Sequence, residues 1–396
     1  MKERALLFAL LSSIAVTATA QRMAIGTADL PSVHPWAMRN ATPSRTGQSG
    51  AVGATLGQVD WSFHIAGSVP QLAVAQDGSI YLGSVFNENQ WNNEQYAYAL
   101  TSDGALKWRQ KVRPYDWGAS QGVANGDGPA VDDAGNVFIP STYTQLLKMT
   151  PDGDQVWAYQ GNYQAGIQGA PAVLADQTIR HTIFPDGIAA IDQGGSRLFN
   201  ANAQNAGATV AVFGNGDMAI SGVRTVEPHG SKDIQYFNAN GTLRWEKTST
   251  RGAFGTPIFG PDGVVYAPFV AKAFLPDGTV KWTTDVTTQT AALSDTGVLY
   301  FAANTTGVVA VLAATGTRLW VAPVTGGVNP DPAIDALGNV FVTTVDGKVW
   351  SIAPTGAVNW SVAVCDKFLT GPVIAAGGRL VAAGMTGNQK FVFAVR

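Results

Sequence analysis

Aromatic and polar residues suited to ligand binding are concentrated in two long connections of this 396-residue chain. Residues 85–94 read VFNENQWNNE, and residues 113–127 read RPYDWGASQGVANGD. Aromatic side chains bury area against a ligand, while neighbouring polar groups fix the orientation of that ligand. The two connections predict a binding surface formed by Trp91, Arg113, Tyr115, Asp116, Trp117 and Gln121.

This mixture of residue types suits a sugar, a peptide or a loop of a protein partner. A glycan would stack on Trp91, Tyr115 and Trp117. The alternative is that the long connections only cover the structure beneath them and pack on each other, because long loops do not always bind ligands. Shorter connections add further candidates, which are Tyr163, Gln168, Arg251, Phe254, Asn329, Asp331, Lys367 and Phe368.

Residues for catalysis or metal binding form no recognisable pattern. Four residues could offer oxygen ligands to calcium, but their spacing matches no known calcium loop, and we interpret them as turn residues. They are Asn125, Asp127, Asp132 and Asp133. The four histidines are scattered, no Gly-x-Ser-x-Gly elbow precedes a helix, and Cys365 is the single cysteine. We therefore predict no catalytic residue and no metal site, although a Ser/His/Asp set could still assemble in space.

A repeated pair of residues indicates which elements position these candidates. Eight times a glycine is followed four residues later by a large aromatic, and successive aromatics are 47, 49, 42, 46, 37, 38 and 40 residues apart. A period of about forty residues predicts one small unit copied around an axis, with one aromatic as a structural wedge in each copy. The pairs are Gly57/Trp61, Gly104/Trp108, Gly153/Trp157, Gly195/Phe199, Gly241/Trp245, Gly278/Trp282, Gly316/Trp320 and Gly356/Trp360.

The unit over residues 326–364 shows how each copy is built. Glycine-containing turns at 335–338, 345–347 and 354–356 divide it into four short segments, which predicts a four-stranded antiparallel meander. In five units the aromatic follows an apolar and then a polar residue, so we expect a half-buried strand with alternating faces. Three units reverse this order, and there we expect a local bulge or a different exposure.

The number of strands predicts how the ring closes. Seven complete units precede Cys365, and the residues after it supply only three strands. A spare strand lies at the opposite end of the chain, over residues 57–65. Its pairing with the last three strands would complete an eighth unit and remove two exposed sheet edges. We predict an all-β fold, an eight-bladed β-propeller of four-stranded antiparallel blades whose last blade is closed by an N-terminal strand.

The start and the composition of the chain predict where the protein acts. A positively charged start, a short apolar stretch and an A-x-A cleavage site predict a signal peptide over residues 1–20. A linker over 21–35 and one propeller domain over 36–396 follow. We expect an exported monomer, periplasmic or extracellular, without a transmembrane segment. The formal charge of -3 without a basic run argues against nucleic-acid binding.

The Gly-x-x-x-Trp ending of the units resembles the tryptophan-docking repeat of the pyrroloquinoline-quinone (PQQ)-like propellers. The best match is AVLAATGTRLW at residues 310–320, beside the family's Ala-Leu-Asp-Ala-x-Thr-Gly-x-x-x-Trp, with Leu312 in place of the Asp. Residues 36–47 are also similar to the segment before the first blade in many members. The resemblance covers nearly all of the chain after the signal peptide, and it implies the fold more strongly than a function.

The resemblance implies two kinds of function. Quinoprotein dehydrogenases of this family hold PQQ and calcium in the central funnel, whereas non-catalytic members, such as the propeller of the outer-membrane barrel-assembly machinery, bind protein partners. This chain lacks the adjacent cysteine pair and the long insertions of the dehydrogenases, and it lacks the lipid-attachment cysteine of the assembly protein. We expect an exported non-catalytic binding or scaffolding protein without a cofactor. It would use the funnel and the face that carries the long loops for a protein partner or small ligand; a PQQ- and calcium-dependent oxidoreductase and a glycan-binding propeller are the alternatives.

Overall fold

A computed structural model describes residues 34–87, 93–112, 127–141, 145–160, 169–183, 187–203, 208–223, 232–248 and 255–396. Within these ranges, eight antiparallel sheets follow one another around a central axis, as predicted. The hydrophobic core is divided among the interfaces between neighbouring sheets. The described residues contain one helix, a single 3-10 turn at Pro268–Val270, and it is too short to cross a membrane.

Each blade runs outward from a short inner strand to an outer strand. The strands of blades 1 and 2 are β2 (Leu72–Val74), β3 (Ile80–Asn87), β4 (Asn93–Leu100), β5 (Leu106–Lys111), β6 (Ala130–Val131), β7 (Val137–Ser141), β8 (Gln145–Met149) and β9 (Gln155–Gln160). Those of blades 3 and 4 are β10 (Ala172–Val173), β11 (Ile179–Ile183), β12 (Gly187–Ile191), β13 (Arg197–Ala201), β14 (Ala211–Val212), β15 (Met218–Val223), β16 (Lys232–Phe237) and β17 (Leu243–Thr248).

The remaining blades repeat this order. The strands of blades 5 and 6 are β18 (Ile258–Phe259), β19 (Val265–Ala267), β20 (Lys272–Phe274), β21 (Val280–Thr283), β22 (Ala291–Leu293), β23 (Val298–Ala303), β24 (Gly307–Leu312) and β25 (Arg318–Ala322). Those of blades 7 and 8 are β26 (Ala333–Ile334), β27 (Val340–Thr343), β28 (Lys348–Ile352), β29 (Val358–Ala363), β31 (Val373–Ala375), β32 (Arg379–Thr386), β33 (Gln389–Val395) and β1 (Val59–Ile65), with the short β30 (Lys367–Phe368) paired to the end of β32.

Antiparallel order places the strand connections at two ends of the axis. Turns between the first and second strands and between the third and fourth strands lie at one end, as at 75–79 and 101–105; we call this end the turn face. Connections from the second to the third strand, and from one blade to the next, lie at the other end, the connection face. The two long connections of the sequence join β3 to β4 and β5 to β6, so the strand ends that flank them are at the connection face.

The ring closes through the N-terminal strand, as predicted. β1 pairs antiparallel with β33, with Val59 opposite Val395 and Ile65 opposite Lys390. Arg379 of the same blade donates from Nε to the Asp60 carboxylate at 2.6 Å, which adds an ion pair to the closure. The pairing covers the edge of β33 that would otherwise be exposed and so completes the last blade.

The repeated glycine and aromatic residues hold neighbouring blades together. A Cβ on Gly104 would lie 2.5 Å from the ring of Trp61 in the preceding blade, and one on Gly57 would lie 2.9 Å from Trp360, which completes the circle. Gly104 also has a φ of 85°, a conformation that favours glycine. The indole N–H of six tryptophans donates to a turn carbonyl of the next blade at 2.7 to 3.2 Å. The aromatics are therefore structural wedges.

The alternation predicted for five outer strands is wrong, and the bulge expected in the other three is present, because all eight contain a β-bulge immediately before the aromatic. In blade 7 the bulge residue is Asn359, between the paired residues Val358 and Trp360. Val358 is 42% exposed, and Leu319, the bulge residue of a unit with the reversed order, is 47% exposed. Exchanging the apolar and polar residues before the aromatic therefore exposes no additional apolar side chain, since neither of those two positions faces the core.

Residues 36–53, which we call the leader, fill the centre of the ring at the turn face. Their carbonyls accept backbone N–H groups that would otherwise be unpaired along the axis. The leader makes one circuit of the axis, and its carbonyls accept these hydrogen bonds from six of the eight blades. The donor and acceptor pairs are Val74 to Trp36, Val131 to Ala37, Val212 to Pro43, Phe259 to Ser44, Leu293 to Thr46 and Ile334 to Gly47.

Candidate functional site

Most of the residues predicted to bind a ligand or partner lie outside the described part of the chain. The described strands on either side of them end at the connection face. The roles of these residues stay predictions. These residues are Trp91, Arg113, Tyr115, Asp116, Trp117, Gln121, Tyr163 and Arg251, together with the secondary candidates Gln168 and Phe254; Asn125, weighed as a calcium ligand, also lies outside the described residues.

Lys367 lies within the described part of the chain, as do the predicted candidates Asn329, Asp331 and Phe368. It lies in β30 at the connection face, opposite Met385, and its side chain is exposed. Two of its predicted neighbours are structural instead. Phe368 is 1% exposed, and the Asn329 side chain donates to Thr343 Oγ1 at 3.0 Å. Of these three candidates, Lys367 alone is available to a partner.

A network of charged and polar side chains forms the floor of the connection face at the axis. Arg39 of the leader donates through Nη1 to Asp127 of blade 2 and through Nη2 to both carboxylate oxygens of Asp331 of blade 7, at 3.3 and 3.4 Å. Gln71 of blade 1 donates to Asp331 at 3.0 Å, and the Asn40 amide donates at 3.2 Å. The network therefore joins the leader to three blades.

The charges of this axial network attract one another. Burial by itself lowers the pKa of Arg39, but the attraction of the Asp127 and Asp331 carboxylates outweighs burial and raises the pKa overall. The hydroxyl of Thr209 donates to Asp127, and the backbone N–H of Asp331 donates to Thr290 Oγ1 at 2.8 Å. Both carboxylates therefore have a permanent cation and a further polar partner within the protein.

A second leader arginine, Arg45, is fully buried beneath Arg39. Its guanidinium donates to the carbonyls of Val210 and Arg39, both at 2.8 Å, and to two carbonyls of blade 3 at 3.0 and 3.2 Å. Burial lowers the pKa of Arg45 to about 9, the charge of Arg39 contributes in the same direction, and Asp127 opposes them. The guanidinium remains charged at neutral pH and ties the leader to blades 3 and 4.

This geometry offers little acid–base or metal chemistry. No group of three His, Cys, Asp or Glu side chains that could hold a metal ion occurs among the described residues. Calcium, which accompanies PQQ in the dehydrogenases of the family, needs several free oxygen ligands. Asp127 and Asp331 are already bridged by a guanidinium, so the axial residues do not fit that ion. Burial also raises the pKa of Cys365 to about 11, which keeps it a thiol at neutral pH.

Two of the residues weighed as calcium ligands are turn residues, as expected. Asp132 Oδ1 accepts the backbone N–H groups of Ala134 at 3.1 Å and Asn136 at 2.8 Å. Asp133 is exposed and accepts the Gln177 amide at 2.9 Å. These bonds shape a turn and leave Asp132 and Asp133 without a shared ligand position.

The two leader arginines were not among the functional residues predicted from the sequence. The available signal was the presence of Arg39 and Arg45, the two charged residues of residues 36–53. Asp127 and Asp331 were recognised singly, for different proposed sites. Their encounter at the axis depends on closure of the ring, which brings the inner ends of blades 2 and 7 near the same arginine and which spacing along the chain does not specify.

Known proteins share both the sequence pattern and the fold. The family model described as outer membrane protein assembly factor BamB matches residues 93–273 and 262–394. No curated protein matches the chain in sequence. Among solved structures, BamB from Moraxella catarrhalis superimposes with a TM-score of 0.58 at 17% identity, over 85% of this chain and 96% of that chain.

Dehydrogenase propellers are structurally similar as well. A europium-containing methanol dehydrogenase gives a TM-score of 0.65 at 15% identity, over 90% of both chains. The quinohemoprotein alcohol dehydrogenase from Comamonas testosteroni gives 0.65 at 12% identity, over 92% of this chain and 81% of that chain. At such identities the structural likeness shows the fold alone. The family model, which matches well over half of the sequence, shows that the chain belongs to the PQQ-like propeller family described as outer membrane protein assembly factor BamB.

Proposed function

We propose that this protein is an exported, non-catalytic β-propeller that binds a protein partner at its connection face. The observation that carries the proposal is the axial network, in which Arg39 occupies the carboxylates of Asp127 and Asp331. The leader fills the ring beneath them. The carboxylates at the centre of the funnel are thus already engaged within the protein, and the groups left to bind a partner are those of the connections around them.

The family description supports a protein as the partner, because it names an outer membrane protein assembly factor. A scaffold of this kind needs a rigid ring and variable connections rather than a reactive centre. Aromatic and arginine side chains on the connections would supply most of the binding energy. The proposed contact residues are Trp91, Arg113, Tyr115, Asp116, Trp117, Gln121, Tyr163, Arg251 and Lys367.

Capture of native partners by the tagged full chain tests this proposal. Trp117→Ala and Lys367→Ala should each reduce the amount of partner retained, because each removes a proposed contact. Leu337→Ala is the matched control, since Leu337 is 62% exposed but belongs to a turn of the opposite face. Equal retention by all three variants would contradict the proposed surface.

A PQQ- and calcium-dependent oxidoreductase is the principal alternative, because two of the similar structures are alcohol dehydrogenases. The purified protein would be mixed with PQQ and calcium, passed through gel filtration and assayed with alcohols and sugars and an artificial electron acceptor. We expect neither retained cofactor absorbance nor turnover, because Arg39 occupies the axial carboxylates. Cofactor retention together with turnover would overturn the non-catalytic proposal.

A glycan at the same surface is the second alternative, suggested by the aromatic residues of the long connections. A glycan array that compares the wild type with Trp117→Ala distinguishes it from the protein partner. Sugar binding that is lost in the variant would replace the proposed protein partner. Arrays that do not differ between the two proteins would leave the protein partner as the assignment.

Export and chain organisation belong to the same proposal. We propose a signal peptide over residues 1–20, a linker over 21–35 and a propeller over 36–396, in a periplasmic or extracellular monomer. N-terminal sequencing of the exported protein should begin near Gln21, and light scattering should give the mass of one chain. A retained N-terminus or a larger mass would contradict these two parts of the proposal.

A further inference from the structure

A pocket of about 340 Å³ opens on the turn face, between blades 3 and 4. It lies at the opposite end of the ring from the proposed partner surface. A volume of this size holds a small organic ligand or the end of a peptide. Its walls are formed by turns of blades 3 and 4 and by the leader, and they include Pro43, Leu174, Arg180, Phe213, Asn215 and Ala239.

The pocket occurs where a repeated row of aromatic side chains is interrupted. In five other blades an aromatic on the second strand packs against the outer-strand tryptophan, as Tyr266 stacks on Trp282 with ring centroids 5.8 Å apart. Blade 3 has Arg180 and Phe199 at these two positions. Blade 4 has Ala219 at the second-strand position. Smaller and polar side chains at the junction of blades 3 and 4 leave space that aromatics fill in those five blades.

Arg180 is a buried cation with an incomplete set of hydrogen bonds. It is 6% exposed, and its guanidinium carbon lies 5.2 Å from the centroid of the Phe199 ring. Nη1 donates to Thr178 Oγ1 at 3.0 Å and to the carbonyl of Ile179 at 3.3 Å. Nε has no acceptor within the part of the chain that the structure describes. Burial lowers the pKa of Arg180, and the carboxylate of Asp176 opposes this only through its more distant charge.

Arg244 in blade 4 shows the same stacking, and its guanidinium has both a hydrogen-bond acceptor at Nε and a carboxylate partner. Its guanidinium carbon lies 5.1 Å from the centroid of the Tyr236 ring. Nε donates to Asn238 at 2.8 Å, and Nη1 lies 3.4 Å from the Asp217 carboxylate. Arg180 is more deeply buried than Arg244 and lacks such a carboxylate. Since a buried charge is strongly destabilising until it is paired, this pocket favours an anion.

We infer that the pocket binds a carboxylate attached to a short apolar group. The carboxylate would accept hydrogen bonds from the Arg180 guanidinium, the charge-assisted pairing that these two groups favour. Pro43, Leu174 and Phe213 would surround the apolar group. Two sources supply this chemistry: a free organic acid, and the C-terminal carboxylate of a polypeptide that ends in an apolar residue.

Asp176 at the rim of the pocket opposes an anionic ligand. Its Oδ1 accepts the backbone N–H of Thr178 at 2.9 Å and the hydroxyl at 2.7 Å. In blade 4 Asn240 makes the same two contacts with Thr242, so an amide can replace the carboxylate and keep the turn. Asp176→Asn should therefore tighten carboxylate binding by roughly two- to fivefold, because it removes one repulsive charge near the surface.

Titration of the full chain with phenylacetate, followed by ligand-observed NMR, tests the inference. We expect saturable binding, and we expect the uncharged phenylacetamide to bind roughly tenfold more weakly or worse. Arg180→Met removes the donors and keeps an unbranched side chain, so it should weaken phenylacetate binding to a similar extent. Arg244→Met is the matched control and should leave binding unchanged. Equal binding of acid and amide, no binding of either, or full binding by Arg180→Met would overturn the inference.

A second variant keeps the test decisive if Arg180→Met does not fold, which thermal unfolding would reveal. Ala175 is exposed and lines the pocket, so Ala175→Trp should block entry and leave Arg180 in place. Unchanged binding by this variant would contradict the assigned pocket. Tighter binding of N-acetyl-phenylalanine and of a tripeptide ending in phenylalanine than of phenylacetate would assign the polypeptide source, and the reverse order would assign the free acid.

Discussion

Acidification from pH 7.5 to pH 5 should destabilise this protein by about 2 kcal/mol through a single residue, His181. The side chain is fully buried in β11, and neither ring nitrogen has a hydrogen-bond partner among the described residues. Burial lowers the pKa of His181 to about 3. In the unfolded chain the ordinary pKa is about 6.5. His181 is therefore neutral in the folded protein throughout the range in which the unfolded chain takes up a proton.

The sign follows from this depressed folded-state pKa. Above pH 6.5 both states are neutral at His181, and the full stability is present. As the pH falls below 6.5, the unfolded state is favoured by up to about 1.4 kcal/mol for each pH unit, and the loss levels off near the folded-state pKa. At pH 5 the proton uptake of an unfolded chain with a pKa of about 6.5 amounts to about 2 kcal/mol.

Urea denaturation at pH 7.5 and pH 5 measures the effect when the wild type is compared with His181→Leu. Leucine suits the site, because the equivalent positions of blades 1, 2 and 4 hold Leu82, Ile139 and Ile220. Other groups also titrate in this range, so the informative quantity is the difference between the two proteins. His64→Leu, at an exposed position on β1, is the control for loss of a histidine.

We expect the free energy of unfolding of His181→Leu to fall less between the two pH values, by about 2 kcal/mol, than that of the wild type. The leucine variant should also be at least as stable at pH 7.5, because an unpaired buried imidazole is unfavourable. Identical pH dependence of the wild type and His181→Leu would refute the reasoning. It would mean that the imidazole already has a proton acceptor or contact with water in the folded state.

Three further substitutions test the architecture. Gly153→Ala should lower the free energy of unfolding by about 2 kcal/mol or more, because its Cβ would lie 2.8 Å from an aromatic ring at a φ of 93°. The control Gly387→Ala has open space around its Cβ and should lower it by only about 1 kcal/mol. Equal urea midpoints of the two variants would contradict the role of Gly153 in docking the aromatic. Arg39→Met should cost about 3–5 kcal/mol in unfolding free energy, because it leaves two partly buried carboxylates unpaired, and an unchanged melting temperature would show that the axial network is dispensable. Trp320→Phe should cost about 1 kcal/mol, because it removes an indole hydrogen bond of 2.9 Å to the next blade, and calorimetry that finds no loss would assign the blade contact to ring packing alone.

The ring itself could be predicted because the information that specifies it is local and repeated. A glycine that must take a positive φ and the aromatic four residues later recur in every blade, so one unit reveals the others. The strand count then required β1 to complete blade 8, and the pairing of Val59 with Val395 confirms it. The outer-strand alternation failed because a β-bulge changes which side chains face the core without changing the residue types.

The candidate site was predictable only in outline. Long connections rich in Trp, Tyr and Asn can be recognised in sequence, and the strand ends that flank them do lie at one face. The axial network could not be recognised, because Arg39, Asp127 and Asp331 come from three distant segments. Arg180 could not be recognised as a candidate from the sequence either. Its sequence neighbours are ordinary strand residues, and only the loss of a stacking aromatic at a blade junction opens a pocket beside it.

The sequence by itself determined the number of blades, the order of their strands and the wedge role of the aromatics. These follow from backbone conformation and short-range periodicity, which are encoded within each unit of the repeat. Tertiary structure alone decided that the leader fills the axis, that two carboxylates share one guanidinium and that Arg180 faces a pocket. Closure of the ring brings residues from blades far apart in sequence within hydrogen-bond distance of one another or of the leader, and those distances are properties of the closed ring rather than of any one segment.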